Sequence, residues 1–340
     1  MTLTKKQFIL GLTAIIALFI AFTAYCLFAP LNKGKDTVYL YIDDDDNIDS
    51  LSAKLAINCN GLGSAALTIM TRHSGYRNNI RSGRYEILPS TGALQLYRHL
   101  RNGQQAPVKL TIPSVRTPER LAEELSEKLM MSKEALLTYL ENNDSCAAYN
   151  ADTASIMAMF IPNTYEVYWN ISIPKFLKKM QTEHDAFWSG NRKDKADALG
   201  LTPLEVTTMA SIVDEETANN AEKPMVAGMY YNRLKRGMPL QADPTIKFAL
   251  KQFELRRIYN NMLRVKSPYN TYVNTGLPPG PIRIPSVAGI DAVLNLVKHD
   301  YLYMCAKEDF SGTHNFARTY SEHLANAAKY SKALNNRGIK

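Results

Sequence analysis

TPLEVTTMASIVDEETANNAEKPMVAGMYYNRLKRGMPLQADPT, residues 202–245, is the stretch around which this chain is organised. Thr202, Pro203 and Glu205 form an S/T-x-x-E capping box with proline at the first helical position, so a helix is expected from about residue 203. At about 100° per residue, Met209, Ile212 and Val213 fall within about 60° of Glu216, with Val206 and Ala210 nearby. Glu216 therefore continues an apolar stripe, whereas Asp214 points to the opposite face and Glu215 projects about a quarter-turn away. The last two are expected to be ordinary solvated charges. A carboxyl on the buried face, near the negative end of the helix dipole, should have a raised pKa, which suits a general acid. The same pattern is met by a structural acid that pairs with an arginine or caps a neighbouring segment, and periodicity alone leaves both readings open.

The chain has 340 residues, 46% hydrophobic and 21% charged, enough for two domains plus extras. A net charge of +8 suits an acidic surrounding such as anionic lipid or an anionic polymer. The basic residues are scattered and accompany no recognition helix, zinc finger or aromatic RNA-binding signature, so no nucleic-acid partner is expected. Residues 8–29 are apolar and uncharged and follow Lys5 and Lys6; the run is long enough to span a bilayer. It exceeds the h-region of a signal peptide, no A-x-A site follows, and Tyr25 before Cys26 is too bulky for a lipoprotein signal, so an uncleaved anchor is expected. Lys33 and Lys35 after the span leave the positive-inside count even, and charge alone gives no orientation. Cys26, Cys59, Cys146 and Cys305 form no short-spaced metal or redox motif.

Beyond the span, residues 38–42 read as a strand. The acidic run 43–46 lacks the glycine and closing glutamate of a calcium loop and reads as a solvated turn before a helix at 48–57. Gly61-Leu62-Gly63-Ser64-Ala65-Ala66 matches a loose dinucleotide pattern without a preceding apolar strand and reads as a turn. Strands at 84–88 and 108–112 flank a helix at 92–101, completing a small α+β unit. Helices follow near 117–129 and 132–140. The aromatic segment 157–169, MAMFIPNTYEVYW, can serve core packing or stack on sugars. A second helix is expected from Pro224 to Gly237, then a loop at 240–245 in which Asp243, before proline, either faces a cleft or caps the next helix. Residues 268–285 hold five prolines and two glycines and read as a rigid loop walling a groove. A helix at 287–298, a strand at 301–306, a hairpin return at 313–316 and a polar helix complete the chain.

No cofactor is expected. His299, His314 and His323 lack ligand spacing, and neither H-E-x-x-H, C-x-x-C nor the G-x-S-x-G elbow occurs. A buried acid, a polar loop with Gln241 and Asp243, an Asn-Thr-Tyr element and a Pro-rich wall would furnish a carbohydrate groove.

With these residues assembled, the chain resembles the MltG, or YceG-like, family of endolytic murein transglycosylases. The resemblance rests on ASIVDEET (210–217), NRLKRGMPLQADPT (232–245), PYNTYVNTGLPPGPI (268–282) and YLYMCAKEDFSGTHNF (301–316), in order, with a weaker match at IPNTYEVYW (161–169). It implies an α+β fold: a membrane anchor over 1–35, a small LysM-like α+β subdomain over 36–112 and a larger mixed α+β catalytic domain over 113–340. It also implies an enzyme held by a single pass in the bacterial inner membrane, with its catalytic domain on the periplasmic side. That enzyme would cut peptidoglycan glycan strands internally between N-acetylmuramic acid and N-acetylglucosamine, leave 1,6-anhydro-muramic ends, and help end growing strands beside peptidoglycan synthases.

The family's catalytic glutamate falls on Glu216, and Gln241, Asp243, Asn270, Tyr272 and His314 are the candidates for binding sugar and acetamido groups, with structural roles for Gly276, Pro278 and Pro279. Two positions depart from the family pattern: Asp214 replaces the first motif glutamate, and Asn163 replaces an aspartate. A hydrolytic muramidase, with Asp243 as second carboxylate, and a non-catalytic anchored glycan-binding protein are the competing readings.

Overall fold

A computed structural model describes residues 4–255 and 257–337. The chain divides into two compact units, the first holding residues 1–110 with the short segments 128–130 and 166–171, the second holding the remainder.

The first unit opens with helix α1 (Lys5–Phe28), capped by Thr4 and Gln7, which is long and apolar enough to cross a membrane. Strand β1 (Val38–Ile42) is followed by α2 (Ile48–Asn58) and α3 (Gly61–Arg72), then β2 (Gly83–Ile87), α4 (Ala93–Asn102) and β3 (Val108–Thr111). β1 and β2 pair antiparallel, from Val38 opposite Ile87 to Ile42 opposite Gly83. Their inward residues Leu40, Ile42, Tyr85 and Ile87 pack with Leu51, Leu55, Leu67, Leu96 and Leu100 in one core. Leu31 belongs to that core as well, so the folded unit begins before residue 36. The glycine-rich run at 61–66, expected as a turn, instead starts α3: Asn60 caps it by accepting the Gly63 N–H, and Gly63 lies so close to Leu31 that a Cβ would clash with it. In the acidic run, Asp43 and Asp46 converge on Lys54 rather than facing solvent alone.

The second unit contains α5 (Pro118–Ser126), α6 (Lys133–Leu140), α7 (Asn143–Ala147), α8 (Ile173–Trp188), α9 (Asn191–Leu199), α10 (Pro203–Glu216), α11 (Lys223–Lys235), α12 (Asp243–Leu250), α13 (Val287–Leu294) and α14 (Tyr320–Asn336). Strand β4 (Thr164–Val167) begins in it and continues into the 166–171 segment of the first unit, and β5 (Tyr303–Ala306) pairs antiparallel with β6 (His314–Ala317), as the expected hairpin return requires. The aromatic segment 157–169 places Met157, Met159, Phe160, Ile161 and Tyr165 in the core, the packing alternative.

Helix α10 is the axis of this unit. The capping box forms as the sequence predicts, with Thr202 Oγ1 accepting from Glu205 N–H and the Glu205 carboxylate accepting from Thr202 N–H. The single apolar stripe, however, understates its burial: every residue from Val206 to Val213 is buried, Thr207, Thr208 and Ser211 included. Two of those hydroxyls cost little inside because Thr207 and Ser211 donate to the carbonyls of Pro203 and Thr208, and Ser211 Oγ in turn accepts the N–H of Ile282. α9, α11, α12 and α13 pack around it. With residues 206–213 enclosed, α10 offers little solvated face to the charges at its C-terminus.

Candidate active site

Three consecutive acids end α10, and each has a different partner. Asp214, expected in solvent, has a side chain only 4% exposed. Its carboxylate takes Lys223 Nζ at 2.8 Å, the Ser286 N–H at 2.6 Å and the Ser286 hydroxyl at 3.1 Å. Lys223 is buried too, so the pair binds the end of α10 to the start of α11 and to the N-cap of α13. α13 can lean this close because residue 289 is glycine: a Cβ there would lie 2.4 Å from Asp214 Oδ1. Glu215, also expected in solvent, accepts from Arg116 at 2.8 and 3.0 Å and from Arg283 at 3.0 Å. Both corrections follow from the enclosure of α10, where a charge persists only with a partner.

Among the described residues, Glu216 is the one of the three that forms no ion pair. It lines a cleft of about 320 Å³ together with Tyr230, Arg233, Gln241, Asp243, Tyr272 and His314, at the lower end of the range for small-molecule pockets. Its Oε1 accepts the Tyr230 hydroxyl at 2.5 Å. Although partly open to the cleft, the carboxyl is surrounded by protein, and this desolvation pushes its pKa up to about 7. The Tyr230 hydrogen bond opposes the shift, the negative charges of Asp243 and Glu215 add to it, and Lys247 opposes it. The position at the last residue of α10 adds in the raising direction. With Oε1 occupied, Oε2 is the oxygen left to carry a proton.

Of the other residues anticipated from sequence, four line the same cleft and one does not. Asp243 begins α12 without capping it, since Ala242 holds the cap position and makes no side-chain bond there; its carboxylate accepts the Tyr272 hydroxyl at 2.5 Å. That hydroxyl has its pKa raised by burial and by the Asp243 carboxylate. Gln241 adopts φ +52°, held by its N–H to the Thr271 carbonyl, and its side-chain oxygen accepts from Arg233. His314 donates its backbone N–H to Glu222 at 2.6 Å, with Nδ1 3.1 Å from the same carboxylate.

Asn270 does not line the cleft. It is fully buried, donates to the carbonyls of Leu263 and Val265, and accepts the Tyr272 N–H. Its amide folds the loop that presents Tyr272. The Pro-rich segment likewise differs from the expected wall: only Tyr272 of this segment reaches the cleft. Beyond Gly276, at φ +83°, it straps α10 through Ile282 to Ser211 and Arg283 to Glu215. Asn163 is exposed and caps its neighbour, accepting the Thr164 N–H.

Tyr230, Arg233 and Glu222 were not anticipated. Arg233 is buried and donates to the carbonyls of Leu302, Pro239 and Leu240, which fixes the loop carrying Gln241. The signal existed in the sequence. On α11, Val226, Tyr230 and Arg233 follow one another at four- and three-residue spacing on the buried face, so two polar residues interrupt an apolar stripe, the same anomaly that marks Glu216 on α10.

A family model described as the YceG-like family matches residues 40–329. The chain is 36% identical over 165 residues to the endolytic murein transglycosylase of Bacillus subtilis (strain 168), covering 48% of this chain and 44% of that protein. It is 28% identical over 338 aligned positions to the endolytic murein transglycosylase of Streptococcus pneumoniae (strain ATCC BAA-255 / R6), covering 88% of this chain and 59% of that protein. It thus spans 59% of the longer-matched curated relative. The crystal structure of a yceG-like protein from Listeria monocytogenes is similar at 26% identity and a TM-score of 0.56, over 86% of this chain and 99% of that one.

Proposed function

Because this chain belongs to the YceG-like family, we propose that it is a membrane-anchored endolytic transglycosylase of peptidoglycan, cutting glycan strands between N-acetylmuramic acid and N-acetylglucosamine with Glu216 as its single acid and base. The relatives named for that activity support the reaction class. The observation that carries the role of Glu216 is its carboxyl in an open cleft, with a pKa raised to about 7 and one oxygen fixed by Tyr230.

The chemistry follows from that one group. Protonated Glu216 donates from Oε2 to the glycosidic oxygen, and the bond to the anomeric carbon breaks through an oxocarbenium-like state. The resulting carboxylate is stabilised by the Tyr230 hydroxyl. It then accepts the proton of the muramyl C6 hydroxyl as that oxygen attacks the anomeric carbon, closing a 1,6-anhydro ring and restoring the acid. No water is consumed. Gln241, Asp243, Tyr272 and His314 position sugar hydroxyl and acetamido groups. α1 is the support for single-pass anchoring; the inner membrane and a periplasmic cleft are part of the proposal because that is where the proposed substrate lies. The two-stranded sheet with α2 and α3 between its strands is the support for a LysM-like subdomain within 36–112, followed by a catalytic domain over 113–340. Ending of nascent strands beside peptidoglycan synthases extends the same reading.

The pH profile tests the acid. Only the protonated form can donate, so turnover is expected to hold below pH 7 and to fall as pH rises through about 7. Tyr230→Phe removes a donor that favours the ionised form, so its falling limb should move to higher pH. The same change removes stabilisation of the carboxylate formed during cleavage and should lower the plateau about 10- to 100-fold, the worth of a hydrogen bond to a charged group. A limb that stays in place while the plateau falls would detach Tyr230 from the titrating group.

A further inference from the structure

We propose that the corner between α2 and α3 dips into the membrane surface beside α1, so that the first unit rests on the bilayer. The proposal builds on the reading of α1 as a membrane span. The exit of that helix has no linker. Ala29 is its C-cap, and Leu31, two residues on, is fully buried, donating its N–H to Thr91 O at 2.8 Å and accepting the Asn60 N–H at 2.7 Å. Asn60, at the α2–α3 corner, also donates its side-chain amide to the Pro30 carbonyl. Gly92 lies so close to the end of α1 that a Cβ would meet the carbonyls of Leu27 and Phe28 at 2.9 and 3.0 Å. The corner is therefore held at the point where the span ends.

Around that point the outward faces are apolar. The exposed residues of α2 beyond its first turn are Ala53, Ala56 and Ile57, and those of α3 before Arg72 are Gly61, Leu62, Ala65 and Ile69. Ile57 is 75% exposed, Ile69 60% and Leu62 51%. α4, in the same unit, shows what a face meant for water looks like here: its exposed residues are Gln95, Arg98, Arg101 and Asn102. The polar limit of the apolar face is the Asp49–Arg72 ion pair. Asp49 opens α2 and Arg72 closes α3, at the ends away from the corner.

Lys33 donates to the carbonyls of Ala56 and Ile57, setting a cation at headgroup level, and Tyr25 and Phe28 are exposed on the last turn of α1 where an interfacial aromatic belongs. An apolar helical face continuous with a span and bordered by Lys33 is the pattern of an interfacial segment buried to the level of the headgroup and acyl boundary. Ile57 and Leu62 sit in that boundary, and Ile69 lies at its rim.

The full chain, reconstituted in phosphatidylethanolamine and phosphatidylglycerol vesicles, tests this with a photoreactive residue placed singly. The changes are Phe19→p-benzoylphenylalanine within α1, Leu62→p-benzoylphenylalanine at the corner, and Arg98→p-benzoylphenylalanine on α4. Lipid adducts are expected at 19 and at 62, with the yield at 62 roughly tenfold or more above that at 98, because only the corner reaches the acyl boundary. Adducts at 19 with a yield at 62 no higher than at 98 overturn the proposal and leave the span intact. A protein–protein adduct at 62, to a second copy, overturns it in favour of a chain interface. Failure at 19 removes the span itself and the proposal with it.

Discussion

Glu216→Gln is expected to lower turnover on glycan strands by about 10³- to 10⁴-fold, the upper range for one acid–base group, because the same side chain serves bond breaking and ring closure. The amide keeps the size of the carboxyl and an oxygen that can accept the Tyr230 hydroxyl, so the fold should be retained. It can neither transfer a proton to the glycosidic oxygen nor take up the C6 proton. Purified variant and wild type are compared by fragment release from peptidoglycan, with circular dichroism as the check on folding. A well-folded variant with wild-type turnover would make Glu216 a structural acid, the reading that periodicity alone left open.

The second large effect falls on stability. Lys223→Met is expected to cost about 3–5 kcal/mol, since it leaves the Asp214 carboxylate buried without its cation. The denaturant midpoint of the full chain in detergent measures it. Adding Asp214→Asn to the same variant removes the stranded charge while leaving an oxygen for the Ser286 N–H, and should restore most of the loss. A Lys223→Met variant as stable as wild type would show that Asp214 is not dependent on its partner.

These two acids show how far the sequence could be read. The S/T-x-x-E box and Pro203 announced the start of α10, the glycine after Lys235 and Arg236 announced the end of α11, and both helices lie where those local signals put them. Local signals suffice because capping and backbone geometry are decided within one turn. What failed was the inference from one apolar stripe to one buried face. Thr207, Thr208 and Ser211 look like a solvated side but are buried, two of them bonded to their own backbone, so hydropathy misjudged the enclosure and sent Asp214 and Glu215 into solvent.

Asn270 marks the matching limit in loops. Its residue type fits sugar binding and loop locking alike, and only the carbonyls of Leu263 and Val265 distinguish them. Tyr230 obeys the same rule as Glu216, a polar group on a buried helical stripe, but a tyrosine there fits core packing equally well, so residue type alone does not mark it.

The central claim, that Glu216 cleaves without water, is tested most directly by digesting peptidoglycan in ¹⁸O-labelled water and determining the muramyl ends by mass spectrometry. Anhydro-muramic ends, lighter than reducing ends by one water and free of ¹⁸O, are expected from wild type and should vanish with Glu216→Gln. Reducing ends carrying ¹⁸O would contradict the claim and identify a hydrolase, with Asp243 as the carboxylate to examine next.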